Sequence, residues 1–305
     1  MLQKKINFRQ RLDVGDIVTY YFDFLKQNLK QFLNIFISYN GIFILAFLGI
    51  SYLLVTGFMG FIDNSNMSET ESGLYLGFGG FAFFIVFVVM AALNYSLSAS
   101  YLINYVASKT IEVDKEDVWK IVKNNMSNIV AFVLLLIVIY IGYFIASIIL
   151  AIIPIIGSIA QYILNFAVTA WFGVSFMVLL KERKPISKAL SEGWQLVIKN
   201  FWKSVGVNFI LSLLNFLLLF LLLSIPGILI GIYSFHAVDT GVDIANSIVS
   251  KIIWIIALWI FLILVTFFQA LTQFINGILY FSLHEQTYNE NTREKIEQIG
   301  NHSEL

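Results

Sequence analysis

Six long apolar stretches divide this chain, at about Phe32–Phe58, Leu74–Val106, Ile129–Ile153, Ile155–Leu180, Ser204–Leu223 and Ile248–Leu283. Each reaches the roughly 20 residues that a helix needs to cross a bilayer core. The central regions of the six hold no Asp, Glu, Lys, Arg or His. In lipid a spanning segment must satisfy its backbone polar groups internally, and an α-helix does so within one segment. The expected fold class is therefore an all-α membrane protein with six transmembrane helices. Composition agrees, because 59% hydrophobic residues, 12% charged residues and a mean hydropathy of +0.82 are too apolar for a soluble globule of 305 residues. Pro154 is almost all that separates the third and fourth spans, which predicts an antiparallel hairpin. Pro226-Gly227 is expected to break the fifth span near its far end. The sixth is longer than a bilayer requires, which predicts tilt or an extension beyond the membrane.

A short amphipathic segment recurs between these spans. In Pro185–Val205, Leu190, Trp194, Val197, Ile198, Phe201 and Val205 share one helical face. Lys188, Glu192, Gln195, Lys199 and Lys203 take the other. Val197-Ile198-Lys199-Asn200 is echoed by Phe24-Leu25-Lys26-Gln27 and by Ile121-Val122-Lys123-Asn124: two apolar residues, a lysine and an amide. Asp13 with Asp16, and Asp114 with Asp117, suit the N-cap and first turn of the two earlier copies. Two spans follow each copy. The chain thus reads as one polytopic membrane domain, residues 1–283, in three tandem repeats of an interfacial helix plus a transmembrane hairpin (about 12–108, 109–182 and 183–283). A polar tail, 284–305, follows, weakly helical around Glu294–Ile299.

Of the 19 lysines and arginines, all but Lys251 fall in the N-terminal segment, the two helix-bearing loops or the tail. Six spans place all of these on one side, which the positive-inside rule makes cytoplasmic, with both termini inside. Lys251, at the start of span six, can snorkel to the opposite interface. The charged, amphipathic start is expected to be retained rather than cleaved as a signal peptide. Cysteine is absent, so disulfides and thiolate chemistry are excluded.

Catalysis or ion coupling within the membrane usually needs ionisable residues in the spans, and these lack them. His236, His284 and His302 show no spacing suited to joint metal binding, and His236 with Asp239 and Asp243 reads as a solvated outer loop. No enzyme activity, no cofactor, no metal and no nucleic-acid partner is expected. The spans do carry neutral polar stripes. Asn94, Ser98, Tyr101 and Tyr105 form one, Gln161, Asn165 and Thr169 a second, and Gln269, Gln273 and Asn276 a third. They serve either as helix–helix hydrogen bonds or as a polar seam for a headgroup or small polar ligand. Lys26, Lys123, Lys199 and Lys203 are the candidates for lipid headgroups, with Trp119, Trp171, Trp194 and Trp202 as interfacial anchors.

Val14-Gly15-Asp16-Ile17 with Phe24-Leu25-Lys26-Gln27-Asn28, Pro185-Ile186-Ser187 through Gly193-Trp194, Asn200-Phe201-Trp202, and Ile278-Leu279-Tyr280-Phe281 carry a family resemblance. Together they resemble the membrane domain that precedes the catalytic barrel in bacterial membrane-bound glycerophosphodiester phosphodiesterases and that also occurs on its own. The likeness runs over nearly the whole chain on short motifs. It implies the bacterial cytoplasmic (inner) membrane. The phosphodiesterase would be a separate soluble domain with acidic metal ligands, and nothing after Leu283 is long enough to be one, so that activity is not carried over. The expected function is a non-catalytic integral membrane module that engages anionic lipid or a protein partner at the cytoplasmic face. The alternative is a transporter of a lipid or apolar small molecule without ion coupling.

Overall fold

A computed structural model of the protein describes residues 5–62, 67–108, 110–239, 241, 247–289 and 293. Lys4, Asp63, Lys109, Asp243 and the tail stretch Glu294–Ile299 lie outside them. The described residues form eight helices: α1 (Val14–Ile62), α2 (Glu69–Ala107), α3 (Lys115–Asn124), α4 (Met126–Ala151), α5 (Ile156–Glu182), α6 (Ile186–Lys199), α7 (Phe201–Asp239) and α8 (Ile248–Tyr288). Six of these, all but α3 and α6, are long and apolar enough to cross a membrane. The protein is an all-α, multi-pass membrane protein.

Helix ends show why the short helices stand apart. Asp114 caps α3, its carboxylate accepting from the Glu116 N–H at 2.9 Å. Asn125 leaves helical geometry at φ −113°, ψ 11°, and its Nδ2 donates to the Ile121 carbonyl at 2.8 Å. Asn200 does likewise at φ −130°, ψ 43°, donating to Leu196 O at 3.2 Å. An asparagine side chain that back-bonds one turn satisfies an orphan carbonyl of a helix that has stopped. Phe201 and Val205 therefore belong to α7, not to the amphipathic helix in which their spacing placed them. The first copy behaves differently. Asn28 donates to Phe24 O at 2.9 Å, yet α1 runs on without a break, so this segment is continuous with its span.

One further expectation is corrected. Pro226 does not end its helix, since α7 continues to Asp239. The apolar helix tolerates the missing N–H, and two residues before Pro226 the Ser224 hydroxyl also bonds the backbone, its Oγ donating to Leu221 O at 2.6 Å. Between α4 and α5 the tight turn does form, and its strain falls on Ile155, at φ 62°.

The folded chain divides into two compact units, one of Met1–Ile35, Tyr95–Leu213 and Ala270–Leu305, the other of Phe36–Asn94 and Leu214–Gln269. In the first, Phe24 is fully buried and meets Tyr101, Tyr105 and Phe274 edge to face at 5.1–6.0 Å. Phe32 meets Phe274 at 4.5 Å. Each such pair adds about 0.5–1.5 kcal/mol beyond its area. The apolar face of the first amphipathic segment is thus spent on protein. The second unit centres on Phe47, Ile50, Met90 and Leu262. Trp259 ties α8 to α1 there by donating Nε1–H to Ile44 O at 2.8 Å.

Candidate functional site

The face of α6 that packs on protein combines two small residues with two larger ones. Ala189 and Gly193 are buried with Leu196 and Val197. A Cβ on Gly193 would stand 2.1 Å from Ser175 Oγ and 2.8 Å from Ser175 Cα, so α5 and α6 touch backbone to backbone at this point. Trp171 of α5 donates Nε1–H to Leu190 O at 2.8 Å and meets the Trp194 ring at 5.1 Å. That close seat leaves Trp194 and Ile198 of α6 facing outward, and Trp202 at the start of α7 is exposed after them. Trp194 is 47% exposed, Ile198 43% and Trp202 71%. Lys188, Ser191, Gln195 and Lys199 are exposed beside them. The result is an aromatic–cationic face, the composition that suits the boundary between headgroups and acyl chains.

The other headgroup candidates divide. Lys26 is exposed on α1, as is Lys30 one turn on. Lys123 and Lys120 are exposed on α3. Lys203 is only half exposed, and its ammonium faces α8, donating to Ser282 Oγ at 3.1 Å and Gln286 Oε1 at 3.2 Å. It acts as a tie between helices. Trp171, held by Leu190 O, is likewise a packing residue.

The polar stripes are not brought into one seam. In the second unit, Asn40 donates Nδ2–H to Asn94 Oδ1 at 3.0 Å, and Asn94 donates to Thr266 O at 3.0 Å. In the first, Asn208 donates to Asn276 Oδ1 at 3.0 Å, and Gln273 Nε2 to Gly173 O at 3.3 Å. Asn40 and Asn208 each also bond their own helix one turn back, to Phe36 O and Ser204 O. The first and last hairpins thus share one device: an asparagine on the first helix that gives one N–H to its own backbone and one to an asparagine on the second. Ser98 is buried, Gln269 and Gln161 are half-buried, and Asn165 is exposed. Neither Gln161 nor Asn165 reaches the buried amide sets through its side chain. Most of the buried stripe residues serve as bonds between helices.

One polar group is absent from the sequence reading. Lys184 lies 2.5 Å from Glu182 Oε2 and also pairs with Glu192. Tyr280 donates to Glu182 Oε1 at 2.5 Å, His284 Nε2 lies 3.5 Å from the same oxygen, and Tyr288 reaches Glu192 Oε1 at 3.4 Å. Partial burial pushes the Lys184 pKa down, but the hydrogen bonds and charges of the two carboxylates outweigh it and hold the value above the ordinary lysine range. Glu182, Glu192 and His284 place ligand atoms within 4.8 Å of one another, the donor set of a divalent cation. The single ammonium of Lys184 bridges the two carboxylates and offsets part of their charge, so the group acts as an ion-pair clasp joining the end of α5, the face of α6 and the end of α8. Its members come from points a hundred residues apart. The only local hint is that His284 and Tyr288 stand one turn apart.

No protein-family model, curated protein or solved structure matches the chain.

Proposed function

We propose that the protein is a non-catalytic integral membrane module whose basic side engages anionic lipid headgroups. The observation that supports this most is the outward face of α6 and the start of α7, where Trp194, Ile198 and Trp202 stand exposed beside Lys199. A helix in bulk water would bury such rings, whereas one at a membrane surface gains from exposing them. Lys26 and Lys123 supply further exposed cations, each contributing about 1 kcal/mol near an anionic surface. We place the basic side in the cytoplasm of a bacterium, in the inner membrane with both termini inside, on the distribution of lysine and arginine. The module reading agrees with the resemblance to the membrane domain of glycerophosphodiester phosphodiesterases and with the buried amides serving as ties between helices. A protein partner docking on the same cationic face is the competing occupant. Passage of a lipid or apolar solute is a second reading. On its side is an apolar cavity of about 780 Å³ in the second unit.

The test changes Lys26, Lys123 and Lys199 together to glutamate and measures the phosphatidylglycerol retained by the purified protein. Retention is expected to fall at least fivefold while insertion stays normal, because many other cations still mark the inside. Unchanged retention with normal insertion would reduce these lysines to topology markers.

A further inference from the structure

The second unit contains a cavity of about 780 Å³, within the roughly 300–1,000 Å³ of small-molecule sites. Every residue that lines it is apolar. On α1 the wall includes Val55, Met59 and Ile62, and on α8 it includes Trp254, Leu258 and Phe261. Residues of α2 and α7 complete it. The same two helical stripes extend by one step each. Tyr52 precedes Val55 by three residues, and Lys251 precedes Trp254 by three, so both share the cavity-lining faces of their helices. They meet there, the Lys251 ammonium lying 5.2 Å from the centre of the Tyr52 ring. Lys251 is one turn inside the polar start of α8, where its N–H donates to Ser247 O and where the Tyr233 hydroxyl lies 2.9 Å from Ser247 Oγ and 3.2 Å from Ser250 Oγ. It is the only lysine or arginine within the sequence of this unit. Among the described residues no carboxylate pairs with it.

An apolar cavity with one cation a single helical turn beyond its lining on α8, in a protein immersed in lipid, has a phospholipid as its complement. We infer that the second unit binds a phospholipid with its phosphate on Lys251 and an acyl chain in the cavity between α1 and α8. The ammonium supplies the counter-charge, the Tyr52 ring keeps it in place from one side, and the apolar walls take the chain. This site is distinct from the basic side proposed above, and neither depends on the other.

The test uses the full chain in nanodiscs of phosphatidylethanolamine and phosphatidylglycerol, with a trace of phosphatidylglycerol carrying a diazirine at the end of one acyl chain. After illumination, adducts are mapped by mass spectrometry. Labelling is expected to concentrate on Val55–Ile62 and Trp254–Phe261, and a diacylglycerol bearing the same diazirine is expected to label these stretches weakly. Lys251→Glu should lower the labelling by about fivefold, and Lys251→Arg should preserve it. Ala257→Trp, which fills the cavity with Lys251 intact, should also abolish it. Equal labelling of wild type and Lys251→Glu, or labelling by diacylglycerol as strong as by phosphatidylglycerol, would overturn the role of the phosphate. Adducts spread evenly over all lipid-facing helices would show ordinary surrounding lipid and no site. Either failure leaves the reading of Lys26, Lys123 and Lys199 standing.

Discussion

Replacing Gly193 by valine should lift α6 from α5 and destabilise the protein by about 1–3 kcal/mol or more, the range for forcing extra atoms into a packed contact. The contact offers little room to relax, because beyond Ser175 Oγ at 2.1 Å the new Cβ would meet Ser175 Cα at 2.8 Å, and backbone cannot rotate away. The measurement is thermal unfolding of the detergent-solubilised protein, with near-ultraviolet dichroism reporting the Trp171–Trp194 ring pair, now at 5.1 Å. A second change, Ser175→Gly, removes the nearer obstacle and leaves the Cα, so it should restore only part of the loss. A valine variant with an unchanged midpoint and unchanged ring signal would mean that α6 is not seated on α5 as described.

The second large effect concerns the buried amides. Asn276→Leu keeps the approximate shape beneath Gly173, where a Cβ would lie 2.5 Å from Asn276 Cβ, but takes away the oxygen that accepts from Asn208. The Asn208 amide is then left with Ser204 O alone, 3.1 Å away on its own helix. A buried donor that loses its partner costs about 1–3 kcal/mol, whereas replacing both partners by apolar groups can be nearly neutral. Asn208→Leu combined with Asn276→Leu should therefore be less damaging than the two single changes added together. A coupling of about 0.6–1.7 kcal/mol is the scale found for hydrogen bonds between membrane helices. Strict additivity in the double-mutant cycle would show that the pair does not hold α7 to α8.

What could be read in advance was whatever depends on local pattern. The six spans, the Asp114 cap and the turn at Pro154 are each written in a continuous stretch of chain, and each stands where its residues place it. Periodicity also finds an apolar stripe correctly, but it does not name the stripe's partner. Phe24 and Trp194 occupy matching faces of the repeated segment, yet Phe24 is enclosed by Tyr101, Tyr105 and Phe274 while Trp194 is half open. The difference lies in residues far away in sequence. On α6 the decisive contact is made by Ala189 and Gly193, which carry almost no hydrophobic signal and matter because they are small. The clasp of Glu182, Lys184, Glu192 and His284 was hidden for a similar reason, since Glu182 and Lys184 read as part of a charged run until α8 brings His284 and Tyr280 beside them. Lys203 looked like its neighbours on the cationic face, but the helix break at Asn200 turns it toward Ser282.

The placement of α6 in the membrane interface is open to one direct measurement. The chain has no cysteine, so Ile198→Cys offers a single site for a nitroxide spin label on the exposed face between Trp194 and Trp202. In bilayers containing phosphatidylglycerol, power saturation compares collisions with oxygen, which dissolves in the acyl region, against a nickel chelate, which stays in water. The expected result is a label more accessible to oxygen than to nickel, as at the boundary below the headgroups. A label that collides freely with nickel and no more than a water-exposed control with oxygen would contradict the interfacial reading and remove the main support for a lipid-engaging module.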